Sequence, residues 1–311
     1  MPRLSVLLPA FDAAGTIDLA VRSTLRALPR DAELVVADDG SRDGTADVLA
    51  AIDDRRLRVI SGPNRGVART LNGLLEATDS EFIARMDADD VTLPGRFRHQ
   101  LRALQSADVV FSSVAAWTGR GAPRPSFSPP IGSAAFPFHL LLTNPVAHST
   151  MAARRASLAA CDGYRVVPSE DYDLWLRLAH RGTSMRRLAA PAVLYRTHDD
   201  QVTAADAWRR RSWQDPETQE AFERLSVRLL GRPHTRITTL AVAPLPRAEA
   251  FERFAAFERD VRAAVSPLPF PARRRLIGVL DRRCAWLWER ILSSPPTLPF
   301  DSATALAGPA R

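Results

Sequence analysis

The sequence predicts an α/β fold: a mostly parallel sheet with helices on both faces, continued by a helical C-terminal extension. Three observations predict it. Short apolar runs alternate with amphipathic stretches through about the first ninety residues. Each apolar run stops at Gly, Pro or Asp, the residues that end strands and open turns. From about residue 205 the pattern becomes helical and Pro-punctuated.

Leu4-Ser5-Val6-Leu7-Leu8 reads as the first strand, closed by Pro9. Gly15-Thr16 then opens a helix in which Ile17, Leu19, Ala20, Val21, Leu25 and Leu28 recur at helical spacing. Glu33-Leu34-Val35-Val36-Ala37 is a second strand, ending at Asp38-Asp39-Gly40-Ser41. Asp43-Gly44-Thr45 opens a helix through Val48, Leu49 and Ile52, and Leu57-Arg58-Val59-Ile60 is a third strand. Residues 66–77 form a third helix, with Val67, Leu71, Leu74 and Leu75 on one side. Glu81-Phe82-Ile83-Ala84-Arg85-Met86 is a fourth strand that runs straight into Asp87-Ala88-Asp89-Asp90. Strands separated by helices pair in parallel, and ligands of such sheets bind at the carboxyl ends of the strands. The acidic segments stand at those ends.

The middle is less regular. Val109-Val110-Phe111 reads as a strand, and residues 119–137, rich in Gly, Pro and Ser, as a mobile loop. His148-Ser149-Thr150-Met151 precedes a helix over 154–160. Ser169 is the expected N-cap of a helix over 172–180, which Gly182 ends. Val193-Leu194-Tyr195-Arg196 is a last strand. The expected division is residues 1–100, residues 101–204 and an α-helical extension over 205–311; the family resemblance drawn below implies that the first binds a donor and the second an acceptor.

Composition narrows the chemistry. The chain has 311 residues, 46% hydrophobic and 25% charged, an ordinary globular profile with room for roughly two domains. All 42 basic residues are Arg, which excludes Schiff-base chemistry and a P-loop lysine. Two cysteines, Cys161 and Cys284, exclude a disulfide scaffold and a four-cysteine zinc site. No run of about 18 apolar residues and no signal-peptide pattern appears, so a cytoplasmic location is expected. The net charge of +7 is uneven: residues 205–311 hold 18 Arg against 12 acids, or +6. The basic excess lies outside the sheet domain, without aromatics interleaved on strands, so nucleic acid is not an expected partner.

Four constellations carry chemistry. Asp87-Ala88-Asp89 can bring two carboxylates to one hard cation, and a divalent ion there stabilises a leaving diphosphate. The competing reading is a solvated turn. Asp38 and Asp39 offer acceptors for a base N–H or a ribose hydroxyl, whereas Asp43 and Thr45 read as the cap of the next helix. Arg65 precedes a helix N-terminus, a place that favours anions, or is a surface Arg beside a turn glycine. Glu170-Asp171 at a helix start is either capping chemistry or a base for an acceptor hydroxyl. His148 and His198 stand alone at segment ends; His198 is a minority candidate to join the acidic triplet at a metal.

Taken in order, Ser5-Val6-Leu7-Leu8-Pro9-Ala10-Phe11, Val36-Ala37-Asp38-Asp39-Gly40-Ser41, Asn64-Arg65-Gly66 with Asn72-Gly73, and Met86-Asp87-Ala88-Asp89-Asp90 form a pattern. His148-Ser149-Thr150-Met151, Gly163-Tyr164, Glu170-Asp171-Tyr172-Asp173-Leu174-Trp175 and Tyr195-Arg196-Thr197-His198 extend it. This ordered set resembles the inverting family 2 glycosyltransferases, whose GT-A fold is Rossmann-like, over about residues 3–200. The resemblance implies that Pro9, Ala10, Phe11, Asp38 and Asp39 line the nucleoside pocket and that Arg65 approaches the diphosphate. It implies that Asp87 and Asp89 hold Mg2+ or Mn2+, with Asp89 the direct ligand, and that Asp171, beside Glu170, is the general base; His198 stays the minority third candidate named above. The implied partners are a nucleotide-diphospho-sugar donor and a hydroxyl-bearing glycan or lipid-linked acceptor, in cell-surface polysaccharide or glycolipid synthesis. Processive members carry Q-x-x-R-W and membrane spans; neither is found here, so transfer of one sugar is expected.

A nucleotidyltransferase would need a Gly-rich loop and a lysine near the first strand, and both are missing. A non-catalytic nucleotide-sugar-binding scaffold of the same fold is the alternative, and the joint presence of Asp39, Asp89 and Asp171 argues against it. Residues 205–311 read either as a helical cap or dimer contact, the favoured reading, or as a basic Trp-bearing helix over 273–292. On the second reading that helix lies peripherally on an anionic membrane at its inner face.

Overall fold

The structure, a computed structural model, describes residues 2–125, 128–197, 206–243 and 245–293. Its centre is a nine-stranded sheet. Strand β1 (Leu4–Ala10) lies between β2 (Ala32–Asp38) and β4 (Phe82–Arg85), with β3 (Leu57–Ser61) at the edge beyond β2, all parallel. Beyond β4 come β8 (Ala152–Arg154), β6 (Val109–Trp117), β9 (Met185–Arg196) and β5 (Val91–Thr92), while β7 (Arg124–Pro125) pairs with β6. The parallel half is the predicted one. In the second half, β8 runs antiparallel to both β4 and β6, and only β6 and β9 are parallel.

Burial on both faces explains why the central strands are near-continuous apolar runs. Alternation then sends the side chains to two layers. Val6, Leu8, Leu34, Val36, Phe82 and Ala84 pack under α1 (Ile17–Ala27), α2 (Thr45–Ala50) and α4 (Arg96–Ala103). Leu7, Val35 and Ile83 face the opposite way, toward Ala68, Leu71 and Leu74 of α3 (Val67–Glu76). That second layer also takes in α5 (Phe136–Leu142), the short α6 (Arg155–Ala159) and α7 (Glu170–His180). It continues into the C-terminal helices that follow α8 (Asp206–Gln214): α9 (Pro216–Leu230), α10 (Ile237–Leu240), α11 (Arg247–Ala264) and α12 (Phe270–Ser293). Leu276, Leu280, Cys284 and Leu287 of α12 are buried in the same cluster as Phe254, Phe257 and Trp175. The apolar face of α12 is therefore core of this chain.

Two local expectations need correction. Ser169 occupies the N-cap of α7, but its hydroxyl pairs with Ser212 Oγ at 2.5 Å and caps nothing. The segment 119–137 is tied down where it is described: β7 pairs with β6, Ile131 exchanges backbone hydrogen bonds with Arg187, and α5 begins at Phe136.

Candidate active site

The carboxyl ends of β2, β1 and β4 lie side by side, one strand spacing of about 4.8 Å apart. Registry places Ala10 opposite Asp38, and Met86 N–H still reaches Leu7 O at 3.0 Å before the chain leaves the sheet. Every acidic segment singled out in the first ninety residues thus opens on one edge.

At the β2 end, Asp39 is buried and both of its oxygens are engaged. The backbone N–H groups of Arg65 and Gly66 donate to Oδ1 and Oδ2, each at 2.9 Å. Asp39 N–H donates to Ala10 O at 2.8 Å. The carboxylate therefore organises the turn before α3; each oxygen keeps a further lone pair for a ligand. Asp38 Oδ1 accepts from Ser41 N at 3.0 Å, and Asp43 accepts from Thr45 N and Ala14 N, so it serves the turn as expected, but the N-cap of α2 is Gly44, with no side-chain cap. Pro9 and Ala10 are the last residues of β1, and Phe11 just beyond is half exposed, an apolar ring at the mouth of the site. Arg65 does not join the acidic cluster here. Its guanidinium lies along α3, where the absence of a side chain at Gly73 makes room for it.

At the β4 end, carboxylate oxygens of Asp87, Asp89 and Asp90 lie within 4.8 Å of one another. Asp90 is buried; its Oδ1 accepts from Arg196 N at 2.8 Å, while Oδ2 is buried with no hydrogen-bond donor. Burial, reinforced by the neighbouring charge of Asp87, pushes the Asp90 carboxyl up to about 8. Three clustered carboxylates with an unsatisfied oxygen fit a hard divalent cation such as Mg2+ or Mn2+. Arg196, at the end of β9, donates from Nε to Asp89 O at 2.8 Å and lies over the Trp117 ring, clipping the acidic loop to the sheet. His198, the third candidate ligand, lies outside the described residues.

Beneath this loop sits Arg96, fully buried. Its Nη2 donates to Arg85 O and to Ser149 O, both at 2.6 Å, and its Nε to Gln100 Oε1 at 3.2 Å. One guanidinium so joins the strand before the acidic triplet to the turn His148–Thr150. Arg85 is ion-paired with Asp87 and also bears on the far side of the site, where its charge acts on both Glu170 and His148.

That far side is the N-terminus of α7. Glu170 Oε1 stands 3.6 Å from His148 Nδ1, and His148 Nε2 is 3.0 Å from the Tyr164 hydroxyl. Burial pulls His148 down to about 4, with Arg85 adding to the shift, so the ring is neutral at pH 7. Asp171 accepts from Asn144 Nδ2 at 2.8 Å and from Tyr172 N at 2.7 Å. Burial raises both the Glu170 and Asp171 carboxyls above the ordinary range, and their mutual proximity raises Asp171 further. Asp173 of the same helix is a structural ion: fully buried, it binds Arg177 Nε at 2.7 Å, and Arg177 Nη2 holds Gly163 O.

A clamp joins the two sides. Asn72 of α3 donates to Tyr164 O at 2.8 Å and accepts from Tyr164 N at 2.9 Å. Arg85, Arg96 and Asn144 are the site residues that sequence reasoning missed. Arg85 reads as an ordinary strand residue, Arg96 falls in a stretch given no element by the sequence reading, and Asn144 carries no local signal at all.

Comparison with known proteins bears on the family and the fold. A WfaP from Escherichia coli, "UDP-Glc:alpha-D-GlcNAc-diphosphoundecaprenol beta-1,3-glucosyltransferase", is 26% identical over 208 residues, 66% of this chain and 81% of that protein. EpsE of Bacillus subtilis strain 168 is 29% identical over 223 residues, covering 68% of this chain and 77% of its own. Among solved structures, S. aureus TarS 1–349 in complex with UDP-GlcNAc superposes with a TM-score of 0.58 at 17% identity, covering 94% of this chain and 89% of that one. The mannosyltransferase PcManGT of Pyrobaculum calidifontis, in complex with GDP-Man and Mn2+, gives 0.54 at 18% identity, covering 94% and 85%. These likenesses establish the GT-A fold. The family model "Glycosyl transferase family 2" matches residues 5–162, just over half of the chain, and the protein belongs to that family.

Proposed function

We propose that this glycosyltransferase moves one sugar from a nucleotide-diphospho-sugar to the hydroxyl of a glycan or lipid-linked acceptor, with inversion and with Mg2+ or Mn2+ as cofactor. The observation that carries the reading is the cluster of Asp87, Asp89 and Asp90 carboxylates, with Asp87 paired to Arg85, whose charge also acts on Glu170 beside Asp171. Asp87 and Asp89, with Asp90 behind them, would hold the cation, and when bound it supplies charge to neutralise the leaving diphosphate.

The chain's own residues do the rest. Asp38, Asp39 and Phe11, with Pro9 and Ala10, offer acceptors and an apolar ring for the nucleoside. Arg65 would swing from α3 to the diphosphate, a surface side chain free to turn. Asp171 takes the proton of the attacking hydroxyl. Its raised pKa brings it nearer neutral pH, where a general base is most effective, and the Asn144 hydrogen bond fixes its orientation. Asn144 is a positioning residue. His148, neutral at pH 7, stands 3.6 Å from Glu170 and pairs through Nε2 with the Tyr164 hydroxyl. Among the described residues no helix is long and apolar enough to cross a membrane, and we place the enzyme at the cytoplasmic face.

The test is a panel of donor sugars with and without Mn2+, on the wild-type chain and on Asp171→Asn. The substitution keeps the size of the side chain and one acceptor oxygen, which can serve either Asn144 Nδ2 or Tyr172 N but not both. The variant should bind donor as the wild type does and lose transfer by about 10²–10⁴-fold. Undiminished turnover would remove Asp171 from the role of base. Donor binding without transfer in the wild type, to any acceptor offered, would favour the scaffold reading.

A further inference from the structure

A second cleft lies on the α7 side of the molecule, with a volume near 730 Å³, within the range of small-molecule sites. One wall is the first half of α12. Arg274, Gly278 and Arg282 follow one another at four-residue spacing, with Arg275 and Val279 beside them, so one helical face looks into the cleft. The other wall is built from residues 128–131, His139, Thr143, Pro145 and Arg187.

The lining combines two chemistries. Four arginines reach it, and no carboxylate is among the lining residues described. Arg274, Arg275 and Arg282 have no ion pair or hydrogen bond among the described residues, and all three are exposed. Arg187 is fixed by the carbonyls of Pro145 and Pro129, and its Nε is buried without an acceptor. The positive field is strong enough to act on a neighbour. His139 is pulled down to about 4, first by burial and then by Arg187 and Arg275. Between these charges stand Ile131, the ring of Phe270, which is 63% exposed, and Val279. A site with uncompensated guanidinium groups beside bare hydrocarbon selects an anion that carries an apolar tail.

The position of the cleft gives it a role. Thr143 and Pro145, two of its lining residues, flank Asn144, whose amide holds Asp171. Arg283 of α12 donates to Thr143 Oγ1 at 2.5 Å and locks the helix against that segment. We infer that this cleft binds the phosphate or diphosphate head and the first part of the chain of a lipid-linked acceptor. Its sugar then points toward Asp171. The description of the ligand as the acceptor rests on the transferase reading; its binding here does not. Gly278 stands in mid-helix, where glycine is a much poorer helix former than alanine. A Cβ there would meet only Arg282 Nη1, at 3.7 Å, so the missing side chain widens the cleft rather than serving the helix.

The probe is farnesyl diphosphate, compared by calorimetry with inorganic diphosphate and with farnesol, on the full chain without added metal. Farnesyl diphosphate should bind at least about tenfold more tightly than either part alone. The double variant Arg275→Glu, Arg282→Glu should weaken it by about tenfold or more, and Gly278→Leu should do so by filling the cleft with the charges intact. Circular dichroism and UDP binding with Mn2+ should be unchanged in all of them. Equal binding of inorganic diphosphate would overturn the lipid assignment in favour of a free anion. No binding, binding indifferent to the three substitutions, or displacement by UDP with Mn2+ would overturn the site. The Asp171→Asn variant should bind farnesyl diphosphate normally whether or not it transfers sugar, so failure of one assignment leaves the other measurable.

Discussion

Substitution of Asp39 by asparagine separates the two duties its carboxylate can perform. In the structure the two oxygens accept one backbone N–H each, from Arg65 and Gly66, at 2.9 Å. An asparagine keeps one acceptor and must turn its NH2 group toward the other N–H. The loss is one charge-assisted hydrogen bond, about 1.5–3 kcal/mol, and the survivor becomes a neutral one. The buried setting leaves one amide N–H facing another, which adds about 1–3 kcal/mol unless the turn moves. We expect about 3 kcal/mol of stability to be lost, roughly a hundredfold in the unfolding equilibrium. Urea unfolding followed by tryptophan fluorescence measures it as a lower midpoint at constant slope. Weaker UDP binding should accompany the loss, since the same turn carries Arg65. A variant that stays within about 0.5 kcal/mol of wild type yet no longer binds UDP would refute the reasoning. It would mean that the carboxylate serves the ligand alone and that the turn before α3 stands without it.

Three further outcomes are expected. Asp89→Ala should abolish metal-dependent donor binding while leaving the fold intact, because Asp89 is only half-buried; calorimetry with UDP and Mn2+ checks this. Stability should fall in acid. His139 and His148 are held down to about 4 from an ordinary value near 6.5, so the stability each contributes is full above pH 6.5 and is lost as pH falls through 4. At about 1.4 kcal/mol per pH unit, each contributes up to about 3 kcal/mol, and urea midpoints of His139→Gln should flatten this acid limb. Gly163→Ala should destabilise by more than about 2 kcal/mol, since Gly163 sits at φ +65° and an added Cβ would lie 2.5 Å from Asn72 Oδ1. Thermal unfolding reports it, and Asn72→Ala should relieve the clash in the double variant.

The parallel half of the sheet was legible because both of its faces are buried. Its strands are unbroken apolar runs stopped by Asp, Gly or Pro, and pairing in parallel puts those stops on one edge. The second half was harder. In α5, Phe-Pro-Phe-His-Leu-Leu-Leu has no amphipathic period, since most of its residues are buried. β5 is two residues long and exists only because β9 pairs with it. β9 itself begins with arginines that reach across the structure: Arg187 holds two proline carbonyls, so its charges do not mark a solvent-facing turn. The acidic residues of the site could be located from position alone. What holds them could not. Arg96, Asn144 and the Asn72–Tyr164 clamp act between segments some 27 to 92 residues apart, and no local spacing encodes such contacts.

The buried guanidinium of Arg96 has a mechanical consequence. Its Nη2 group alone reads two carbonyls, one just upstream of the acidic triplet and one beside His148, while Nε of the same rigid plane holds Gln100. The strand that leads into the acidic triplet and the turn that carries His148 are thereby one slab. On the proposed reading that slab is the floor of the site, and the movements that admit donor and release nucleotide fall to its walls. Replacing that arginine by lysine, a point charge on a flexible stem, would let the two halves of the floor drift apart without removing a single reacting group.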